Sequence, residues 1–266
     1  MSKRFRRLPV ALTIAGSDSG GGAGIQADLK TFAALGVHGA SVITCVTAQN
    51  PRGVLGIQAC QPGIVRQQLE AVWAELPPTA MKTGMLYSRE IIRTVAAFLK
   101  RTQCPPLVVD PVMIATSGKR LLQTNAINAL IEELLPLAAL VTPNLDETAI
   151  LTGGKVRTVE EMRAAAREIR RRFGCAALVK GGHLKTGREA VDVFFDGKDE
   201  LLLTAPRVKG IRTHGTGCAY SAAITAHLAL GLDLSVSVFQ AKEFISRAIA
   251  GSRQAGRHWV LNFNGV

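Results

Sequence analysis

The sequence predicts an α/β protein, a three-layer αβα sandwich with a central, mostly parallel sheet and an antiparallel hairpin at one edge. Two patterns predict this fold. Short runs of apolar and β-branched residues alternate with stretches in which apolar residues recur every three or four positions, as in amphipathic helices. Alternating strands and helices favour right-handed crossovers that bring the strands together in parallel. No repeat, low-complexity stretch or flexible linker interrupts the pattern, so we expect a single domain over residues 1–266.

The candidate strands are short apolar runs separated by helical stretches. Six are predicted to be parallel, and they lie at Val10–Ala15, Ser41–Thr47, Ala80–Thr83, Leu107–Asp110, Leu140–Pro143 and Ala177–Lys180. Two later runs, Glu189–Phe195 and Leu201–Thr204, flank Asp196-Gly197. An Asp-Gly pair between apolar runs is typical of a hairpin turn, so this segment predicts the antiparallel edge.

Helical spacing is clear in three stretches, Ile25–Leu35, Ile127–Leu134 and Met162–Phe173. The third begins after the capping box Thr158-x-x-Glu161 and ends at a glycine, which is how many helices begin and end.

The composition indicates a soluble cytoplasmic protein. Its five cysteines are scattered without a CxxC pair, which argues against a disulfide framework and a structural zinc site. No stretch is long and apolar enough for a signal peptide or a membrane span. The formal charge is +12, but aromatic residues make up only 5%, so the stacking surface of a single-strand binder is missing. We therefore expect anionic small-molecule substrates, with neither nucleic acid nor a membrane as partner.

Polar or glycine-rich segments follow the predicted strands repeatedly. In an open parallel sheet, ligands bind beyond the carboxyl ends of the strands, so these segments predict one site. They are Gly16–Gly24, Gln49-Asn50, Lys82–Met85, Asp110–Val112, Asn144–Glu147, Lys180–His183 and Thr213–Cys218.

The first segment contains Gly22-x-Gly24-x-x-Ala27, a formal match to the dinucleotide-binding fingerprint. The fingerprint also requires an acidic residue about twenty positions on, and none occurs between Asp28 and Glu70. A Walker lysine followed by Ser or Thr is also missing. The sequence thus argues against a dinucleotide-dependent dehydrogenase and a P-loop NTPase. Asp28 remains either a ligand-binding group or a residue that complements the helix dipole.

The segment Thr213–Cys218 precedes a stretch that is small or apolar on nearly all faces, which predicts a buried helix. Glycines before a buried helix leave backbone N–H groups that can point at an anion. Such donors lower the barrier for a phosphoryl group in transfer. Cys218 falls in the first helical turn, where the pKa of a thiol tends to fall. As an isolated residue, Cys218 is equally typical of a small buried hydrophobic side chain.

Three further segments offer groups for a nucleotide. Asn144 and Glu147 suit either a water-bridged Mg²⁺ with phosphates or a helix N-cap with a capping box, and their spacing does not separate the two. Asp110 ends a strand and offers another oxygen. Lys180 ends a strand before two glycines, a position that suits a triphosphate.

These segments, in this order, resemble the ribokinase-like superfamily, whose Gly-x-Gly-Asp anion hole ends in a catalytic Asp. Here Gly215-Thr216-Gly217-Cys218 has a cysteine in that place. With this replacement, the chain resembles the hydroxymethylpyrimidine/phosphomethylpyrimidine kinases of thiamine biosynthesis from about residue 9 to about residue 250. The other motifs that carry the resemblance are Ala11–Asp18, Gly21–Asp28, Thr47–Asn50, Lys82–Met85, Asp110–Met113 and Lys180–His183.

The resemblance implies that ATP phosphorylates 4-amino-5-hydroxymethyl-2-methylpyrimidine to its monophosphate and then to its diphosphate. It implies a catalytic group of Cys218, Lys180, Gly215 and Gly217. For the pyrimidine it implies Asp28 and Gln49 at the ring edge, and Gly16, Met85 and Val112 around the ring. For ATP it implies Asn144, Lys180, Thr213 and Lys242, and for Mg²⁺ it implies Asp110 and Glu147. We also expect a homodimer.

The chain departs from this family at Thr116, where a lysine is usual, and in a tail without the usual glycine-rich ending. A pyridoxal kinase of the same superfamily is the nearest alternative, because its substrate is a similar ring alcohol. Asp28 and Gln49 favour an aminopyrimidine, since both accept from an amine and the amide also donates. An alternative of another class is a non-catalytic basic protein that binds phosphorylated pyrimidines or nucleic acid.

Overall fold

The computed structural model describes residues 7–113, 122, 124–182, 184, 189–208, 210 and 214–264. The strands in this part of the chain are β1 Val10–Asp18, β2 His38–Asn50, β3 Gly53–Ala59, β4 Ala80–Thr83, β5 Leu107–Val109, β6 Leu140–Val141, β7 Ala176–Lys180, β8 Glu189–Phe195, β9 Glu200–Pro206, β10 Arg253–Ala255 and β11 His258–Val260. The helices are α1 Gly24–Ala34, α2 Pro62–Glu75, α3 Arg89–Leu99, α4 Thr124–Ala129, α5 Leu145–Thr152, α6 Val159–Phe173, α7 Thr216–Ala229 and α8 Leu234–Ala250. A π-turn at Leu130–Leu134 and a 3₁₀ turn at Leu135–Leu137 extend α4.

The central sheet has the strand order β3-β2-β1-β4-β5-β6-β7-β8-β9. The six strands from β2 to β7 in this order are parallel, as the sequence predicts. At one edge, β8 and β9 form the predicted antiparallel hairpin, where the Asp196 carboxylate accepts hydrogen bonds from the amides of Lys198 and Asp199.

The opposite edge adds a second antiparallel pair, which the sequence did not predict. β3 pairs antiparallel with β2, so both edges of the sheet are antiparallel. The sequence signal for β3 is weak, because the strand contains Gly53 and Gly56 and its residues are only partly buried or exposed. A strand that packs little apolar surface lacks the alternation by which strands are recognised.

Helices cover both faces of the sheet and make the predicted three layers. On one face, α2, α3, α4, α5 and α6 bury a cluster that includes Leu12, Met81 and Val109 of the sheet. On the other face, α7 and α8 pack against Val108 and Leu178, and α1 packs beside α7. In the described ranges, no helix has both the length and the apolar character needed to cross a membrane.

Local signals fix the ends of α6. Thr158 Oγ1 accepts from the amide of Glu161, and the Glu161 carboxylate accepts from the amide of Thr158, which forms the predicted capping box. Gly174 then ends the helix with a φ of 76°, a left-handed conformation that glycine adopts without steric cost.

Candidate functional site

The parallel strands bring six of the predicted segments to one edge of the sheet, since β1, β2, β4, β5, β6 and β7 run in the same direction. The seventh segment joins them through α7, which begins at the same edge. Thr213 and His183 lie outside the described residues, as does Thr116.

Asp18, at the end of β1, organises the glycine-rich loop that follows. Its carboxylate accepts from the amides of Gly20 at 2.8 Å, Gly22 at 3.0 Å and Ala23 at 2.8 Å. Burial opposes the charged form, but His214 and these amides outweigh it and lower the pKa of Asp18 to about 2. The sequence reasoning gave Asp18 no role. Its signal is an acidic residue two positions before a glycine run, the pattern of a side chain that binds its own loop.

Gly215 joins this loop to the start of α7. It caps the helix with a φ of 79°, and a Cβ placed there would overlap the carbonyl oxygen of Gly22. The backbone of the two loops therefore approaches more closely than any side chain allows. In the first turn of α7, the amide of Ala219 donates to the carbonyl oxygen of Gly215 at 2.9 Å. The amide of Gly217 precedes it and has no acceptor inside the helix.

Lys180 and Asp110 lie against this helix start. Lys180 Nζ is 3.1 Å from Asp110 Oδ1, and a Cβ at Gly217 would stand 3.2 Å from Lys180 Nζ. Ser221 and Thr142 donate to the two oxygens of Asp110 at 3.2 and 3.3 Å. Burial disfavours both charges, but the neighbouring charges and hydrogen bonds together outweigh it, so the pKa of Asp110 is lowered and that of Lys180 is raised. A cation and a helix N-terminus thus converge, which is the arrangement that an anion requires.

A second buried pair lies beneath α7. Lys82 Nζ is 2.7 Å from Asp28 Oδ1, and both side chains are 0% exposed. Thr13 donates to the other Asp28 oxygen at 2.6 Å, and Lys82 Nζ is 3.5 Å from the carbonyl oxygen of Cys218. The structure therefore places Asp28 in an ion pair, and its contact with a pyrimidine stays a prediction. Lys82 was missed as a site residue, although a lysine inside an apolar strand signals a buried partner.

Cys218 corrects the prediction that a thiol at this helix start has a lowered pKa. Burial raises the pKa of Cys218 to about 12, although Lys82 acts in the opposite direction. Asp28 and Asp110 add to the rise, because a thiolate beside two carboxylates is repelled. The N-terminus of α7 does not lower the pKa enough to reverse this rise. Cys218 is therefore a neutral thiol at physiological pH.

Asn144 and Glu147 form a capping box at the start of α5. Asn144 Oδ1 accepts from the amide of Glu147, and Glu147 Oε2 accepts from the amide of Asn144, both at 2.9 Å. Glu147 Oε1 accepts from the amide of Met113 at 3.0 Å. Burial, only partly offset by Lys180, raises the pKa of Glu147 to about 7. The structure therefore shows the N-cap with its capping box, and a water-bridged contact with Mg²⁺ stays a prediction.

The fit to Mg²⁺ can be judged from the donors present. In the described part of the chain, no three His, Cys, Asp or Glu side chains are grouped as a metal cage. An Mg²⁺ ion that arrives with ATP uses one or two carboxylates and completes its shell with water and phosphates. Asp110 and Glu147 fit this mode, with Glu147 acting through water because both of its oxygens already accept backbone hydrogen bonds.

The residues predicted around the pyrimidine ring and at its edge lie on separate loops of the site. A Cβ at Gly16 would stand 2.6 Å from Cys45 Sγ and 3.9 Å from Met85 Cβ, so Gly16 on β1 lies close to Cys45 on β2 and to Met85 just after β4. Gln49 Nε2 is 2.6 Å from His214 Nε2. Val112 follows Asp110 with a φ of 43°, which is rare for a β-branched residue and concentrates at sites where function constrains the backbone.

Lys242 lies on α8 and is mostly buried. Its Nζ is 2.6 Å from Asp192 Oδ2 and donates to the carbonyl oxygen of Ala190 at 3.0 Å. Asp192 Oδ1 in turn accepts from the amide of Gly181 at 2.9 Å. Lys242 therefore supports the backbone just after Lys180, and its contact with a nucleotide stays a prediction.

Comparison with known proteins gives consistent matches. A family model described as phosphomethylpyrimidine kinase matches residues 18–262. The hydroxymethylpyrimidine/phosphomethylpyrimidine kinase of Rhizobium meliloti (strain 1021) is 54% identical over 244 residues, which are 91% of this chain and 91% of that protein. The crystal structure of a phosphomethylpyrimidine kinase from Clostridium difficile 630 has a TM-score of 0.81 at 43% identity, covering 91% of this chain and 99% of its own. A Bacillus subtilis pyridoxal kinase, solved as an ADP complex, has a TM-score of 0.88 at 37% identity, covering 97% and 98%.

Proposed function

The chain belongs to the phosphomethylpyrimidine kinase family and is a phosphotransferase, and from this premise we propose what its site does. We propose that it transfers phosphate from ATP to 4-amino-5-hydroxymethyl-2-methylpyrimidine, and then to the resulting monophosphate, in thiamine biosynthesis. One observation carries the proposal. Lys180 and Asp110 lie directly against Gly217, so a cation, a carboxylate and a helix N-terminus meet at one point.

The pyrimidine side of the site is formed by Gln49 at the ring edge and by Gly16, Met85 and Val112 around the ring. Position 16 requires glycine, because a Cβ there would stand 2.6 Å from Cys45 Sγ. Asp28 lies beneath α7, where it is the buried ion-pair partner of Lys82.

The nucleotide side is formed by Lys180, Asn144, Thr213 and Lys242. Lys180 is the group best placed for the transferred phosphate, because its ammonium stays charged beside Asp110. Mg²⁺, held by Asp110 and through water by Glu147, would neutralise phosphate charge. Asp110, which holds Lys180, would then also bind the ion.

The reaction is an in-line displacement. The hydroxymethyl oxygen forms a bond to the γ-phosphorus and passes its proton to an oxygen of the transferred phosphoryl group, while the bond from that phosphorus to the bridging oxygen breaks and ADP leaves with the electron pair. Phosphoryl transfer depends mainly on positioning and electrostatic stabilisation, which suits a site without a strong base. The amides at the start of α7 and Lys180 supply that stabilisation. Cys218, as a neutral thiol, orients the hydroxymethyl group rather than deprotonating it.

The test is product analysis by mass spectrometry with ATP, Mg²⁺ and the pyrimidine alcohol. The proposal expects the monophosphate first and the diphosphate later, and it fails if neither forms. Pyridoxal is assayed in parallel, since the match to a pyridoxal kinase favours a second activity of the same site. A rate on pyridoxal that exceeds the rate on the pyrimidine would reverse the assignment of the main substrate.

We also propose that a single domain carries this chemistry, because the sheet extends from β1 to β9 around one site. A cytoplasmic location is supported by five cysteines that are all free thiols. A homodimer and the lack of nucleic-acid binding remain proposals, which sedimentation of the purified protein with and without DNA would test together.

A further inference from the structure

Arg207, which directly follows β9, holds three backbone carbonyls of the connection that comes after Lys180. Its Nη1 donates to the carbonyl oxygen of Gly182 at 2.6 Å, its Nη2 to that of Leu184 at 2.7 Å and its Nε to that of Glu189 at 2.9 Å. A guanidinium only donates and a carbonyl oxygen only accepts, so the direction of each hydrogen bond is unambiguous. One side chain therefore ties the end of β7 to the start of β8.

The residues on either side of Gly182 are also held by other contacts. Lys180 pairs with Asp192 of β8, and the amide of Gly181 donates to Asp192 Oδ1 at 2.9 Å. The amide of Leu184 donates to the carbonyl oxygen of Gly181 at 2.9 Å. Within the part of the chain that the structure describes, the backbone of Gly182 has its hydrogen bond to the arginine alone. The position of this glycine therefore depends most on the guanidinium.

Gly182 lies at the phosphate end of the site and faces open space. It comes two residues after Lys180, whose Nζ would stand 3.2 Å from a Cβ at Gly217. Its φ is not left-handed, and no heavy atom of the described residues lies within 4 Å of a Cβ added to it. Neither its backbone nor these neighbours require a glycine, whereas a ligand that approaches the backbone closely would. The combination indicates that a nucleotide packs against Gly182.

We propose that Arg207 is a positioning residue for the nucleotide, which holds the backbone of Gly182 beside Lys180 in the conformation against which ATP packs. The inference rests on the proposed function, because it concerns the nucleotide side of the same site. Arg207 acts through its hydrogen bonds, since a planar guanidinium offers several donors in fixed directions while a lysine offers a single nitrogen. ATP affinity should therefore depend on the guanidinium and not only on its charge.

The test compares Arg207→Met, which removes all three hydrogen bonds, with Arg207→Lys, which keeps the charge. Arg172→Met is the matched control, because Arg172 Nη1 also donates to a backbone carbonyl, that of Leu151 at 2.6 Å. Arg172 lies near the end of α6, whereas Met162, near the start of that helix, approaches Gly181. For each protein, kcat and KM are measured for ATP and for the pyrimidine alcohol, and the Kd of AMP-PCP, a non-hydrolysable ATP analogue, is measured by calorimetry.

We expect Arg207→Met to raise KM for ATP and Kd for AMP-PCP about tenfold, the cost of ordering the backbone of one residue on binding. Because Lys180 keeps its own contacts, kcat should change less than about threefold and KM for the pyrimidine alcohol should hardly change. Arg207→Lys should bind AMP-PCP nearly as weakly as Arg207→Met, and Arg172→Met should match the wild type. An unchanged Kd, equal losses on both substrates or full recovery with lysine would overturn the inference.

A second pair of variants decides the matter if Arg207→Met does not fold. Gly182→Ala should raise Kd for AMP-PCP at least about tenfold, because its methyl group takes the space against which the nucleotide packs. Gly154→Ala is its control, since Gly154 is also exposed, has no left-handed φ and has no described heavy atom within 4 Å of an added Cβ. The same Kd in both variants would count against the inference.

Failure of the proposed function has a different signature. It shows in the wild-type protein alone, as missing phosphorylated pyrimidine, before any variant is compared. The calorimetric comparison needs no pyrimidine, so it decides the role of Arg207 in that case as well. A wild-type protein that does not bind AMP-PCP would overturn both.

Discussion

Replacing Gly215 with alanine tests whether the close approach of two loops builds the phosphate site. Gly215 has a φ of 79°, and a Cβ there would overlap the carbonyl oxygen of Gly22. Gly174 provides a matched control, because its φ is 76° and no heavy atom lies within 4 Å of its added Cβ. The two substitutions therefore share the backbone cost and differ in the overlap.

The magnitudes follow from these two terms. A left-handed conformation costs an alanine about 1–2 kcal/mol, so Gly174→Ala should lower the free energy of unfolding by that amount. Gly215→Ala should lose a further 1–3 kcal/mol or so, as is typical of overpacking, because the Gly22 loop must shift. A shift of about 1 Å at a reacting site costs on the order of a hundredfold in rate. We thus expect kcat to fall about a hundredfold in Gly215→Ala and to stay unchanged in Gly174→Ala.

The assay pairs urea unfolding with initial rates of ADP formation at saturating ATP and pyrimidine alcohol. Equal destabilisation of the two variants, with kcat retained in both, would show that the contact between the loops is irrelevant to the chemistry. A loss of kcat in Gly174→Ala would show instead that general destabilisation lowers the rate.

Three more predictions concern buried ionisable groups. Glu147 has its pKa raised from 4.5 to about 7, so its contribution to stability is complete below pH 4.5 and is lost as the pH rises through 7. At about 1.4 kcal/mol per pKa unit, the difference in unfolding free energy between wild type and Glu147→Gln should fall by about 3 kcal/mol between pH 4 and pH 8, whereas a constant difference would contradict the shift. Cys218 stays protonated below about pH 12, so kcat should be flat from pH 7 to 9, and a tenfold rise per pH unit would instead reveal a thiolate base. Lys82→Met should cost about 3–5 kcal/mol in chemical unfolding because it leaves Asp28 buried without its partner, and adding Asp28→Asn should recover part of that cost, while strict additivity would argue against the ion pair.

Much of the architecture could be predicted from local patterns. β4 has the bounds that its apolar run predicts, and α6 begins and ends at its capping box and Gly174. These features depend on neighbours a few residues apart, so the sequence carries them directly. The strand–helix alternation also predicts that the polar segments meet at one edge, because parallel strands leave their carboxyl ends on the same side. β3 was not predicted, because its residues bury little surface.

The chemistry within the site was decided by the tertiary structure. The sequence alone predicted that Lys180, Asp110, Gly215 and Cys218 lie together, and the structure brings them to the start of α7. It could not show that Cys218 has a pKa of about 12, because that value comes from burial and from carboxylates 108 and more positions away in the chain. Likewise, a His–Gln contact across 165 positions has no local signature. Desolvation and long-range pairing depend on which chain segments exclude water from one another, and only the folded chain specifies that.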